Sequence, residues 1–256
     1  MPISDRITDD AAVTDTGLSD DRSAEDVRPF RAQVAERVVS VRERIALALD
    51  RSGRGQPVTI VAVTKTHGPE AVEAAWAAGI ADVGENKVRE AEEKRTRILA
   101  PVRWHLIGHL QRNKAKAACA FDLVHGMDSL RLALALEVAG RDAQRVIDVL
   151  VQVNVSGEVS KGGFAPSEIA ALCARLHELA HVRVCGVMTM APFDASETEL
   201  RRVFAGARHV REALSAAGHP SSVLSMGMSG DFEVAVEEGA THVRLGTILF
   251  GDRPQH

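Results

Sequence analysis

From Phe30 onward, short β-branched runs alternate with longer stretches in which apolar residues recur every three to four positions. The runs fall at 58–64, 82–84, 103–108, 123–126, 149–155, 182–189, 223–226 and 242–246. Stretches of helical period lie between them, at 69–78, 87–99, 111–119, 129–140, 166–179, 197–217 and 231–238, and another precedes the first run at 31–49. Strict alternation of this kind predicts parallel strands joined by helical crossovers, and eight such units predict a closed (β/α)8 barrel of the TIM type. Pro69 and Pro166 suit first helical turns, and Gly79, Gly140, Gly218 and Gly239 each follow a helical stretch, where a chain stop is needed. An open doubly wound sheet is the competing architecture. The run after Gly239 favours closure, because it leaves the last strand to pair with the first.

The amino-terminal segment behaves differently. Residues 1–27 are rich in Asp, Ser and Thr and carry no sustained period, so burial cannot offset the cost of ordering them. They are expected to form a disordered acidic arm, with the barrel domain at 28–256. Over the whole 256-residue chain, 45% of residues are apolar, 26% are charged and the net charge is −4. That balance gives no reason to expect nucleic acid or a membrane as partner, and no apolar run approaches the roughly 18 residues of a bilayer span. The protein is expected in the cytoplasm. Cys119, Cys173 and Cys185 are far apart, lie among apolar residues and have no C-x-x-C spacing, so they read as core residues of a reducing compartment. The histidines form no H-E-x-x-H motif and no tight cluster with cysteine, so no metal site is expected.

In a barrel of parallel strands, the residues after each strand converge on one mouth. Here they are Lys65, Asn86, His105, His109, Met127, Asn154, Met188, Ser229, Arg244, Gly246 and Thr247. A primary amine at the end of the first strand suits Schiff-base chemistry, although a lysine that ends a strand by reaching solvent reads the same. The segments SMGMSGD (225–231) and HVRLGTILFG (242–251) place small residues before two helix starts. Free backbone N–H groups and a helix dipole there would hold a phosphate, and the same glycines also serve simply to turn the chain. Arg244, set among Val243, Leu245 and Ile248, needs an acceptor, which could be a ligand or an ion-pair partner such as Glu85 or Asp231.

Taken together, VAVTKTHGPEAVEAAWAAGIADVGENKVREAEEK, WHLIGHLQRNKAK, VQVNVSGEVSKGGF, GVMTMAP and LSMGMSGDFEVAVEEGATHVRLGTILFG resemble the pyridoxal phosphate homeostasis proteins, the YggS/PROSC family. The resemblance covers residues 29–251 and implies a fold-type III pyridoxal phosphate barrel similar to the amino-terminal domain of alanine racemase. It also implies a site. Lys65 would carry the cofactor as a Schiff base, Ser229, Gly246 and Thr247 its phosphate, and Arg244 its pyridine nitrogen. Asn86, Met188 and Met190 would line the pocket, with His105 nearby. Lys87 departs from the family pattern, which often has tyrosine at that position, and so removes any phenolic contact there. Lys161, in VSKGGF, reads either as a solvated loop lysine or as a secondary cofactor site.

An arginine at the pyridine nitrogen disfavours its protonation and weakens the ring as an electron sink. Racemases with such a ring need an acid/base group on each face of the substrate carbon, and this chain contains no tyrosine to act as one. The resemblance therefore implies reversible binding of pyridoxal 5′-phosphate, buffering of its aldehyde and delivery to apo forms of pyridoxal phosphate enzymes, by a protein expected to be a monomer. The alternatives are a weak amino-acid racemase or other pyridoxal phosphate enzyme, and a phosphosugar barrel enzyme that forms a Schiff base with its substrate.

Overall fold

The computed structural model describes residues 24–158 and 161–251. Eight parallel strands pair in chain order and close into a barrel, β8 hydrogen-bonding to β1. They are β1 (Thr59–Val63), β2 (Asp82–Glu85), β3 (Arg103–Leu106), β4 (Leu123–Met127), β5 (Ile147–Gln152), β6 (Val182–Met188), β7 (Val223–Ser225) and β8 (His242–Leu245). The helices outside are α1 (Ala24–Ser52), α2 (Pro69–Ala77), α3 (Val88–Arg95), α4 (Leu130–Asp142), α5 (Ile169–Leu176), α6 (Glu197–Ala216), α7 (Phe232–Glu237) and the short α8 (Thr247–Phe250). Of the expected arm at 1–27, residues 1–23 lie outside the described residues, and α1 already begins at Ala24.

Because α8 is a single turn, it cannot cover the outside of β8. The helix that precedes the first strand does so instead. Val34, Val38, Val41, Ile45 and Ala48 form a fully buried stripe along α1, which packs against α2, α7 and α8. Burying each large side chain of such a stripe contributes about 1.5–3 kcal/mol. Its polar flank is tied down by Arg44, which forms a fork to Glu233 at 3.1 and 2.9 Å, and by Arg37, which donates to the Leu249 carbonyl.

Two connections differ from the pattern read in the chain. The link from β3 to β4, expected as an α-helix over 111–119, is a 3₁₀ helix, Arg112–Ala120. A 3₁₀ helix rises ~2.0 Å per residue against ~1.5 Å for an α-helix, so a short crossover reaches farther back along the barrel. The fifth strand occupies Ile147–Gln152 rather than 149–155. It ends early because Asn154 turns onto its own loop, donating to the Glu158 carbonyl and accepting from Ser156 and Gly157.

Inside the barrel, polar and apolar side chains occupy different sectors. Leu123, Leu150 and Met188, with Cys185, Met190 and Val223 packed on them, fill the side made by β4 to β7. Asp82, His105, His125, Ser225, His242 and Arg244, drawn from β2, β3, β4, β7 and β8, make up a polar cluster beside it. A β-bulge at Gly186 sets the boundary. The β5–β6 register shifts there, so that Val184 and Val187 both join the outer core while Cys185 and Met188 face the barrel interior. A Cβ on Gly186 would overlap the Val223 carbonyl, which restricts the position to glycine.

A buried ion pair braces the ends of β1 and β2. Lys94 of α3 is 4% exposed, and its ammonium donates to Glu85 at 2.5 Å, to the Thr64 carbonyl at 2.7 Å and to Glu90 at 3.0 Å. Thr64 also donates to Glu85, and burial pushes the Glu85 carboxyl up against the pull of Lys94. Thr64 and Glu85 immediately precede Lys65 and Asn86, so this cluster fixes the backbone on which both stand. Lys94→Met would leave Glu85 buried and uncompensated, a loss of about 3–5 kcal/mol in denaturant unfolding. Lys94→Met combined with Glu85→Leu is expected to recover most of it; a single variant as stable as the parent would show that the pair does not hold this corner.

Candidate functional site

At the carboxyl ends of the strands lies a cavity of about 850 Å³. Lys65, Asn86, Met188, Met190, Ser229, Arg244, Gly246 and Thr247 all line it. These are eight of the nine candidates, drawn from five different strand ends and brought to one volume by barrel closure.

His105, the ninth candidate, is elsewhere. It is 3% exposed within β3, below the cavity wall that Ile107 provides, and both its ring nitrogens are engaged by protein groups. Two other residues expected at the mouth also turn away. Met127 is fully buried in the outer core, and Asn154 is spent on its own loop. His109 does line the cavity, its Nδ1 held 2.8 Å from Asp128. Lys87 is exposed at the start of α3 and is not part of the wall. Lys161 is part of it, on a loop tied to β5 by Gln152, which donates to its carbonyl at 2.7 Å.

Lys65 sits one residue past the buried Thr64, at the start of a turn in which Thr66 adopts a φ of 68°. The turn is held open by Glu90, which accepts from the Thr66 N–H at 2.5 Å. Asn86 leaves β2 beside Gly108, where a Cβ would run into the Asn86 carbonyl, so glycine allows the two loops to close on each other. On the opposite wall, the Ser229 hydroxyl accepts from the Ile248 N–H at 3.3 Å, joining the loop after β7 to α8. Among the described residues the N–H groups of Gly246 and Thr247 make no hydrogen bond, and they stand at the first turn of α8. Those donors and the serine hydroxyl suit an anionic ligand group.

Arg244 is the buried cation of the site, 6% exposed in β8. It donates to the Ser225 hydroxyl at 2.8 Å and to the Thr189 carbonyl at 3.0 Å, leaving further guanidinium donors for an acceptor in the cavity. Neither acidic partner weighed for it is bonded to it. Glu85 faces α3, and Asp231 accepts from the Met228 N–H and acts on Arg244 only through its charge. Burial pushes the guanidinium down to about 10, so it remains a cation at neutral pH. Burial likewise pushes Asp231 up, opposed by its hydrogen bond from Met228 and by Arg244.

Gln152, Asp128 and Phe193 also line the cavity and were not singled out from the sequence; Asp231, weighed only as a partner of Arg244, lines it too. Asp128 directly follows β4, so its position at a strand end was the available signal. Phe193 is 92% exposed at the rim, on the loop after β6. A more open depression between α3 and the 3₁₀ helix, around Val88, Glu92, Lys114 and Cys119, brings together no comparable set of groups. Among the described residues no helix is long and apolar enough to cross a membrane.

Known proteins share this fold. The model of the alanine racemase N-terminal domain family matches residues 39–254. The pyridoxal phosphate homeostasis protein of Aquifex aeolicus is 39% identical over 222 residues, which span 85% of this chain and 97% of that protein. The homeostasis protein of Escherichia coli K12 is 36% identical over 229 residues, 86% of this chain and 97% of its own. Among solved structures, PipY of Synechococcus elongatus PCC7942 with PLP bound is 36% identical, with a TM-score of 0.75 over 85% of this chain and 100% of that one. Alanine racemase from Streptomyces coelicolor shares the fold at 18% identity, with a TM-score of 0.71 over 88% of this chain and 59% of that one. On the closed barrel, the matched domain and the similarity along nearly the full length of these relatives, the chain belongs to the family of pyridoxal phosphate homeostasis proteins built on the alanine racemase N-terminal domain.

Proposed function

We propose that the protein binds pyridoxal 5′-phosphate reversibly, holding its aldehyde on Lys65, and takes part in cofactor homeostasis by buffering it and passing it to apoenzymes. The observation that carries this reading is the meeting of three kinds of group on one cavity: an amine, a buried guanidinium, and the N–H and hydroxyl donors of Gly246, Thr247 and Ser229. They match, respectively, an aldehyde, a ring nitrogen that accepts a hydrogen bond, and a phosphate. When bound, the cofactor supplies an aldehyde carbon that condenses with the lysine amine with loss of water.

The protein's own groups favour holding over turnover. Arg244 stays cationic and donates, which keeps the ring nitrogen an acceptor and leaves the ring a weak electron sink. The chain has no tyrosine, and the cavity rim is open enough to leave Phe193 almost fully exposed, so reacting groups are poorly shielded from water. A protein of this kind acts as a monomeric carrier in the cytoplasm, with apo forms of pyridoxal phosphate enzymes as its partners.

The purified protein is expected to show a visible band that borohydride abolishes, with the pyridoxyl mass mapping to Lys65 rather than Lys161. Lys65→Ala should lose the band while keeping its fold by circular dichroism. A colourless protein that takes up no added cofactor would sink the reading and leave the phosphosugar enzyme as its replacement; steady turnover of free amino acids that vanishes with Lys65→Ala would favour the racemase. Ser229→Ala tests the phosphate wall separately. It should reduce the preference for pyridoxal 5′-phosphate over pyridoxal by roughly ten- to a hundredfold, the size of one hydrogen bond to a charged group. An unchanged preference would remove Ser229 from the site.

A further inference from the structure

Two of the histidines inside the barrel, His125 and His105, are linked into a single chain with Arg244 at one end. Arg244 Nη1 donates to the Ser225 hydroxyl at 2.8 Å; Ser225 Oγ lies 3.0 Å from His125 Nδ1; His125 Nε2 lies 2.9 Å from His105 Nδ1; and His105 Nε2 lies 2.9 Å from Asp82 Oδ1. Asp82 is also gripped by Arg103, at 2.7 and 2.6 Å, whose side chain reaches solvent at the opposite end of the barrel. The chain crosses β8, β7, β4, β3 and β2 in turn, and every member from Asp82 to Arg244 is buried.

The direction of every bond follows from its two ends. Burial would raise the Asp82 carboxyl, but the bonds from His105 and Arg103 outweigh it and hold the group below the usual carboxylate range, so Asp82 can only accept. His105 Nε2 therefore carries a proton. With His105 neutral, its Nδ1 accepts, His125 Nε2 donates, His125 Nδ1 accepts and the Ser225 hydroxyl donates, while its oxygen receives the arginine proton. A cationic His105 would reverse the two middle bonds and leave the buried Ser225 hydroxyl proton with no acceptor among the described residues. Burial and the charge of Arg244 push His125 well below its ordinary value, and burial holds His242, beside His105, down to about 4. Asp231 faces Arg244 from the loop after β7.

We propose that Ser225, His125, His105 and Asp82 are positioning residues that fix Arg244 from inside the barrel through a one-way series of donors ending on a carboxylate. The inference rests on the reading of Arg244 as the ring-nitrogen contact. Bonds aligned in one sense polarise one another, so the carboxylate at the far end bears on how the guanidinium meets its ligand. Both histidines are spent on this task, with no ring nitrogen left over for a ligand or an ion.

Long-range proton–nitrogen spectra of the full-length, cofactor-free protein at pH 7 provide the first test. His105 and His125 should both appear as neutral Nε2–H tautomers; a cation or an Nδ1–H form at either would overturn the proposal. The second test loads the same protein with pyridoxal 5′-phosphate. Ser225→Ala and Asp82→Asn should each weaken binding roughly fivefold, the order of one hydrogen bond, and move the visible band. Ser225→Thr, which keeps the hydroxyl, should restore both, and inorganic phosphate should compete with unchanged affinity throughout. In Arg244→Gln the Ser225→Ala change should cost nothing further, because its effect passes through the arginine. Additive losses, or wild-type band and affinity in both variants, would overturn the proposal. A parent protein that takes up no cofactor would count against the proposed function instead, and the ring spectra would then decide the chain alone.

Discussion

The hydrogen bonding of β1 to β8 is the contact on which the site depends. Its register sets Val61 beside Arg244 and Ala62 beside Leu245. Continuing each strand by a few residues brings Lys65 and the Gly246–Thr247 turn to the same rim, although 180 residues of chain separate them. Closure also removes the two sheet edges that an open arrangement would expose. It is completed from outside by α1, which occupies the place a full eighth helix would have taken and packs against the helices on either side of the β8–β1 seam.

Closure further creates an interior that must be filled, and this barrel fills it unevenly. The apolar sector around Leu123, Leu150 and Met188 is ordinary packing. The polar sector is costly unless each group finds a partner, since an unpaired buried donor or acceptor loses its water without replacement. That constraint accounts for the ordered chain from Asp82 to Arg244. Arg244, the buried cation of the cavity wall, is thereby tied to a series of polar residues that do not themselves line the cavity. The Lys94–Glu85–Thr64 cluster stands on the outer side, bracing the strand ends that carry Lys65 and Asn86.

The eight strands and their order were legible because β-branched runs and helical periods alternate with little ambiguity along 30–251. Most strand ends were legible too, and Lys65, Asn86, Ser229, Gly246 and Thr247 reached the mouth as the strand-end rule expects, whereas Met127 turned into the outer core and Asn154 onto its own loop. Depth was less legible. His105 and Ile107 share a face of β3 but differ by two residues, roughly 6.6 Å of rise, which separates a residue inside the barrel from one at the cavity wall. Facing was harder still where a strand is buried on both sides, because its run is apolar throughout and carries no period of two. The bulge at Gly186 turns Met188 inward, and the glycine inside the run 182–189 is the only local sign of it.

The sequence by itself determined the succession of elements, the chemical types available at their ends and the glycines that let loops approach, because these depend on neighbours a few positions away. Only the tertiary structure decided which of those groups share a cavity, that Glu85 answers to Lys94 rather than Arg244, and that His105 serves the inside of the barrel. Those outcomes depend on register, bulges and closure across strands distant in the chain, and on a pressure that no local pattern expresses: a polar group taken inside loses its water and is costly unless it finds a partner there.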